Sequence, residues 1–229
     1  MVEGATLLAL WQAGLGPAPG RAVRLLRALG EPAPETLTLG AATRRLIAER
    51  AAVVGGPLEA VASCPACGVV NAIAVDPLAW LDVADAPLPA AIEIDGWRLV
   101  PRLLTVADLE AAARVPDAAA FLRGRALVEA SGPDGAEAGM PAAAVAAVEA
   151  ALEAAEPLAD AEVAFACAAC DHGWTLAFEP AAFLADELAV RAKRLLAEVA
   201  TLARAFGWSE AEVLALPPER RRVYLDLAA

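Results

Sequence analysis

The chain has 229 residues, 59% of them hydrophobic, and carries 18 Lys and Arg against 30 Asp and Glu, a net charge of −12. This balance argues against a nucleic-acid surface, which needs clustered Lys and Arg to meet phosphates. No uncharged apolar run reaches the roughly 18 residues of a membrane span, and Glu3 without a basic region before it does not resemble a secretory leader, so a soluble cytoplasmic protein is expected.

Leu7, Leu8, Leu10, Trp11 and Leu15 give residues 2–14 the pattern of a short helix, stopped near Gly14 and Gly16. After Pro17-Ala18-Pro19-Gly20 a second helix is predicted over residues 21–29, with Val23, Leu26 and Leu29 on its apolar face and Gly30 as its cap. Arg21, Arg24 and Arg27 form a basic stripe on that helix, read as a solvated face with docking as the alternative. Glu31-Pro32-Ala33-Pro34 breaks the chain, and a third helix over 40–53 ends at Gly55-Gly56-Pro57.

Cys64-Pro65-Ala66-Cys67-Gly68 comes next, between Val61-Ala62-Ser63 and the apolar run 69–75. Arms of this kind predict a β-hairpin with the cysteines at its tip. Beyond Asp76-Pro77, residues 92–100 alternate around Asp95-Gly96, the strongest short hairpin signal. Thr105 and Asp108 open a helix in capping-box fashion, a short helix is predicted over 117–124, and Ser131-Gly132-Pro133-Asp134-Gly135 is a surface turn. An alanine-rich helix over 141–156 returns the chain to a second predicted hairpin, with Cys167-Ala168-Ala169-Cys170 at its tip.

The longest helix is predicted over 180–206, where Leu184, Leu188, Leu195, Val199, Leu202 and Phe206 keep helical spacing and Gly207 is the stop. Ser209-Glu210-Ala211-Glu212 is a capping box for a short helix through 216. Pro217-Pro218 separates it from a last helix over 219–227, which carries Arg220, Arg221, Arg222 and Tyr224.

The four cysteines are the only ones in the chain. A two-residue spacer lets both sulfurs of a pair face one ion, and Cys64, Cys67, Cys167 and Cys170 together complete a tetrahedral zinc shell. Redox use is disfavoured because neither pair opens a helix beside a βαβ unit. Disulfides are disfavoured because a cytosolic chain is kept reduced. The 99 residues between the pairs exceed the roughly 15–20 of a compact ribbon. Lengthening the loop from ~20 to ~99 residues costs only about 1.4 kcal/mol, against about 10–16 kcal/mol from a structural zinc ion.

The predicted fold is therefore α+β and mostly helical, a split zinc ribbon of two CxxC hairpin knuckles with a long α/β insertion and helical segments on both sides. The expected units are a helical lobe over 1–60, the ribbon over 61–76 plus 161–179, the insertion over 77–160 and a helical region over 180–229. One structural Zn2+ is the expected cofactor, and no small-molecule substrate is expected.

A catalytic constellation is missing from the sequence. His172 is the only histidine, beside the second cysteine pair, where it reads as a turn residue and not as a ligand to a shell already closed. Lys193 is the only lysine and reads as a solvated charge. No phosphate-binding glycine loop or dinucleotide fingerprint occurs, and Asp82 and Asp85 read as loop solvation. The chain is not expected to be an enzyme.

Four stretches together resemble one family: Leu8-Ala9-Leu10-Trp11-Gln12-Ala13-Gly14-Leu15, the two cysteine knuckles through Gly68 and Trp174, and residues 204–216 leading into Arg220-Arg221-Arg222-Val223-Tyr224-Leu225. They are similar to the baseplate hub assembly chaperones encoded in clusters for phage tails and phage-derived contractile injection systems. The likeness spans nearly the whole chain, and the cysteine pairs are its chemically specific part. Asp171 departs from it, standing where a glycine often follows such a knuckle.

The resemblance implies a non-catalytic assembly factor that holds a hub, tube or baseplate protein soluble or delivers it to the growing baseplate. Trp208, Arg220, Arg221, Arg222 and Tyr224 have the composition of a binding hot spot for such a client. The runner-up is a regulatory or nucleic-acid-associated zinc-ribbon protein, and a redox enzyme using both cysteine pairs comes third.

Overall fold

Helix α1 (Gly4–Gly14) opens the chain in the computed structural model, which describes residues 4–18, 20–133 and 139–228. Pro19, the Asp134-Gly135 part of the predicted turn and residues 2–3 of the predicted first helix lie outside the described residues. Helix α2 (Arg21–Ala28) ends on Leu29, followed by Gly30 at φ +89°, a setting open to a residue without a side chain. Helix α3 (Leu39–Val53) starts one residue ahead of its predicted bound because Thr38 is its N-cap, with the hydroxyl accepting from the Ala41 amide at 3.4 Å.

The long helix α7 (Pro180–Phe206) has the bounds predicted for it. Pro180 occupies its first turn, where a missing N–H removes no bond, and Gly207 ends it at φ +73°. Leu184, Leu188, Leu195, Val199 and Leu202 are buried along one stripe. The first three helices build their interior against that stripe: Leu10, Val23, Leu25, Leu26, Ala42 and Leu46 cluster with Leu184 and Leu188. The two ends of the chain thus share one core.

Helices α8 (Glu210–Leu214) and α9 (Pro218–Ala228) fold back on the C-terminal half of α7, where Val213 packs with Val199 and Leu202. The Ser209–Glu212 capping box is formed in both directions. Helix α8 stops at Leu214, two residues short of its predicted end, as the Leu216 amide bonds to the Val213 carbonyl in a tighter turn.

Between the cysteine pairs, a 3-10 turn (Pro77–Asp82) leads to β3 (Ile92–Ile94) and β4 (Trp97–Pro101). Asp95 and Gly96 join them with both φ angles positive, 49° and 77°, as a two-residue type I′ turn requires. Helices α4 (Val106–Ala112), α5 (Ala118–Arg125) and α6 (Ala142–Ala155) follow the sequence reading within a residue or two. Strand β5 (Leu127–Ser131) does not appear in that reading. It pairs with β4, and its Ala-containing, largely exposed run carries no alternation to announce it. Ala144 and Val148 of α6 pack on Trp97 and Leu99 of the sheet.

The insertion is tied to the N-terminal helices by its backbone. The Leu39 amide donates to Leu104 and the Val106 amide to Leu37, both at 3.0 Å. Glu156, just after α6, accepts from the Thr38 hydroxyl and the Gly40 amide, which places a carboxylate at the start of α3. A Cβ on Gly40 would lie 3.0 Å from the Glu156 side chain, which would have to shift to make room for it. Among the described residues no helix is long and apolar enough to cross a membrane.

Candidate metal centre

Two antiparallel hairpins carry the cysteines: β1 (Leu58–Ser63) with β2 (Val70–Val75), and β6 (Glu162–Ala166) with β7 (Gly173–Ala177). Their bases are anchored by a small apolar core. Leu58 of β1, Ile47 of α3 and Phe178 after β7 are buried together, each contributing about 1.5–3 kcal/mol. Trp80 meets Phe178 edge-on with ring centres 4.7 Å apart, and Phe183 of α7 lies 5.1 Å from the same ring.

Arg50, 5% exposed, secures the start of β1. Its guanidinium donates to both carboxylate oxygens of Glu187 on α7, at 3.0 and 2.5 Å, and to the carbonyls of Gly56 and Pro57. Four bonds from one planar group fix α3, α7 and the approach to the hairpin at once.

The two tips are built alike. In the first, the Cys64 amide donates to Val69 O and the Gly68 amide to Cys64 O, both at 2.9 Å. In the second, the Cys167 amide donates to His172 O at 3.0 Å and the Asp171 amide to Cys167 O at 2.9 Å. Gly68 has φ +75° and Asp171 φ +57°, so the aspartate takes the left-handed conformation that glycine takes in its counterpart. The knuckle geometry is kept at Asp171 in spite of the missing glycine.

The four sulfurs lie within 4.8 Å of one another, as the spacing predicts. The first cysteine of each pair meets the second of the other: Cys64 to Cys170 is 3.8 Å and Cys67 to Cys167 is 3.6 Å. Bonds of about 2.3 Å to a tetrahedral ion place its ligands about 3.8 Å apart. The cluster therefore has the dimensions and donor type of a site able to hold a metal ion. Cys64 and Cys167 are buried, whereas Cys67 and Cys170 reach the surface.

The crowded sulfurs and the backbone amides around them set the proton affinities of Cys67, Cys167 and Cys170 apart. The Ala169 amide, 3.5 Å from the sulfur, leads the hydrogen bonds that hold Cys167 down to about 6. At Cys170 the His172 amide draws the pKa down, but the Cys67 sulfur, burial and the other two sulfurs outweigh it, so this thiol is pushed up to about 12. At Cys67 the Val69 backbone bond lowers and is likewise outweighed by burial and neighbouring sulfurs. Of these three thiols Cys167 ionises most readily, and a cation beside the cluster would favour loss of the protons on Cys67 and Cys170.

Asn71 of β2 is a site residue that sequence reasoning missed. Its Oδ1 accepts from the Ala168 amide at 3.0 Å, and its Nδ2 donates to Val69 O at 2.9 Å while lying 3.8 Å from the Cys167 sulfur. One amide thus joins both knuckles behind the four cysteines. Only its place four residues after Cys67 could have marked it. His172 is exposed and serves through its backbone, and Lys193 is exposed on α7.

The remaining candidates lie outside the cysteine cluster. Trp208 stacks on Phe206, Tyr224 meets both rings edge-on with its centre 4.7 Å from that of Trp208, and Arg220 lies over the Tyr224 ring at 5.8 Å. Arg221 is occupied by Glu198 at 2.7 Å, while Arg220 and Arg222 are exposed. The N-terminal basic stripe is tied down as well: Arg24 donates to Ala13 O and Pro17 O, Arg21 to Gly16 O, and Arg27 pairs with Glu35. Asp85 pairs with Arg44 at 2.5 Å, which is more than loop solvation.

Comparison with protein-family models, curated proteins and solved structures finds no match for the chain.

Proposed function

We propose that Cys64, Cys67, Cys167 and Cys170 hold one structural zinc ion, making the two hairpins a split zinc ribbon, and that the protein is a non-catalytic assembly factor for a phage-tail-like baseplate or hub. The observation that carries the metal is the sulfur cluster, with separations of 3.6 and 3.8 Å across the two pairs. Four thiolates are a donor set suited to tetrahedral zinc, and a shell filled by protein ligands leaves no position for a substrate. The assembly role is supported by the four stretches that resemble baseplate hub assembly chaperones, and an acidic chain with one histidine and one lysine agrees with it. On α9 the exposed Arg220, Arg222, Val223 and Leu227 are the side chains available to a hub, tube or baseplate client, with Trp208 and Tyr224 packed beneath them.

The metal is tested by elemental analysis of protein purified under reducing conditions, with one zinc per chain as the expected result. Absence of metal, or two disulfides by thiol titration, refutes it. The client is tested by co-purification with hub and tube proteins encoded beside the chain. A variant carrying Arg220→Ala, Arg222→Ala and Leu227→Ser should capture less, and equal capture refutes the α9 surface. No capture by either chain refutes the assembly role, and a specific salt-sensitive gel shift with DNA or RNA favours the regulatory zinc-ribbon reading.

A further inference from the structure

Strands β2 and β6 face each other across an open slot of about 560 Å3. Consecutive residues line both sides, 69–75 on one and 163–166 on the other. A sheet face presents only every second side chain, so consecutive lining marks strands seen from their edges.

Register gives the polarity of those edges. The Cys64–Val69 and Cys167–His172 pairs are hydrogen-bonded. Alternation along an antiparallel ladder then turns the amides and carbonyls of Val70, Ala72 and Ala74 away from β1, and those of Ala164 and Ala166 away from β7. Among the described residues, no backbone hydrogen bond joins β2 to β6, and the Asn71–Ala168 bond spans the slot only at its tip. Free edges are commonly blunted by lysine, proline or a bulge. Neither strand has any of these, and Val70 is 63% exposed.

We propose that the slot takes one extended, basic segment of a partner protein, hydrogen-bonded to both edges and completing a five-stranded sheet in the order β1, β2, segment, β6, β7. Two facing edges with unpaired amides and carbonyls can each hydrogen-bond one strand inserted between them. Alanine at four of the five outward positions that line the slot leaves room for the segment's side chains. Its charge follows from complementarity. Residues 57–79 and 157–179 hold Glu59, Asp76, Asp160, Glu162, Asp171 and Glu179 and no Lys or Arg. Four thiolates around a divalent cation add two further negative charges, a contribution that rests on the zinc reading. A second copy of this acidic hairpin pair is repelled, whereas a lysine- or arginine-flanked strand is drawn in.

The test uses the metal-loaded full chain and the peptide acetyl-Lys-Thr-Val-Thr-Val-Thr-Lys-amide, with a counterpart bearing Glu at both ends. The basic peptide should bind and slow hydrogen exchange at the amides of Val70, Ala72, Ala74, Ala164 and Ala166, while the acidic one does not. Ala72→Pro and Ala164→Pro each delete one outward N–H without touching a ladder bond, and each should weaken binding about tenfold. Metal content reports whether these variants keep their fold, and the exchange pattern of the unmodified chain stands if they do not. No binding, binding without protection at these amides, equal binding of the acidic peptide, or proline variants that hold metal and bind normally would each overturn the proposal. So would protection that appears without peptide and rises with protein concentration, which marks a second copy as the occupant. A chain without metal refutes the zinc centre, and a loaded chain with a silent slot refutes this proposal alone.

Discussion

Replacing Asn71 tests whether the two knuckles are held together from behind the proposed cysteine ligands. Alanine removes the bonds to the Ala168 amide and the Val69 carbonyl, each worth about 1 kcal/mol net. A combined loss of about 2 kcal/mol corresponds to roughly 30-fold in metal affinity, within the 10–100-fold typical of groups that support ligands. Asn71→Asp is the sharper variant because it keeps the acceptor facing Ala168. It exchanges the donor lying 3.8 Å from the Cys167 sulfur for a negative charge. At that distance two unit charges repel by about 4 kcal/mol at an effective dielectric of about 20, and by about 1 kcal/mol in bulk water. The aspartate variant should therefore bind metal more weakly than the alanine variant, as read by competition with a chromophoric chelator at fixed pH. Affinity of the aspartate variant at or above that of the alanine variant would refute the amide–sulfur contact. Unchanged affinity in both would show that Asn71 clamps nothing.

Asp108 is 2% exposed and accepts from Arg102, Arg125 and the Thr105 amide. Burial raises its pKa, but these donors outweigh burial and hold the carboxyl well below the usual range. Its contribution is fully present above the unfolded value near about 3.9 and is lost as pH falls below it, so the Tm should decline from about pH 4 downward. Asp108→Asn should cost about 2–4 kcal/mol at pH 7 and flatten that acid slope, with the arginines' contact with water keeping the loss below that of a fully buried pair. Asp171→Gly should leave stability unchanged or raise it by up to about 1 kcal/mol, and Asp171→Val should lower it, because φ +57° penalises a β-branched residue; equal urea midpoints for the two would refute the strain. Arg50→Ala should lower stability by about 3–5 kcal/mol in denaturant unfolding, and Arg50→Lys should not restore it, since an ammonium cannot reproduce the fork to Glu187 together with the bonds to Gly56 and Pro57.

What was legible in the sequence was local in the chain. The bounds of α7 follow from Pro180, a run of leucines and Gly207, and the capping boxes at Thr105 and Ser209 each lie within four residues. The cysteine cluster was legible across 99 residues because thiol pairs at this spacing have few other uses. Side chains with distant partners were silent. Glu156 meets Thr38 from 118 positions away, and Asn71 meets Ala168 from 97. Arg21, Arg24 and Arg221 show the reverse error. Periodicity placed them on helix faces, but their guanidinium groups reach carbonyls or a carboxylate that no local pattern reveals. Strand β5 is a strand because β4 offers it an edge, and nothing in its own five residues says so.

The shared core of α1, α2, α3 and α7 has a consequence in time. Glu187 is added 137 residues after Arg50, and Leu184 and Leu188 belong to the same late stretch. At about 5–20 residues per second, synthesis of the intervening chain takes roughly 7–27 s. Throughout that interval the first three helices lack the surface against which Leu10, Leu25, Leu26 and Leu46 are buried. A chain that stops short of α7 therefore carries these leucines without the surface that buries them.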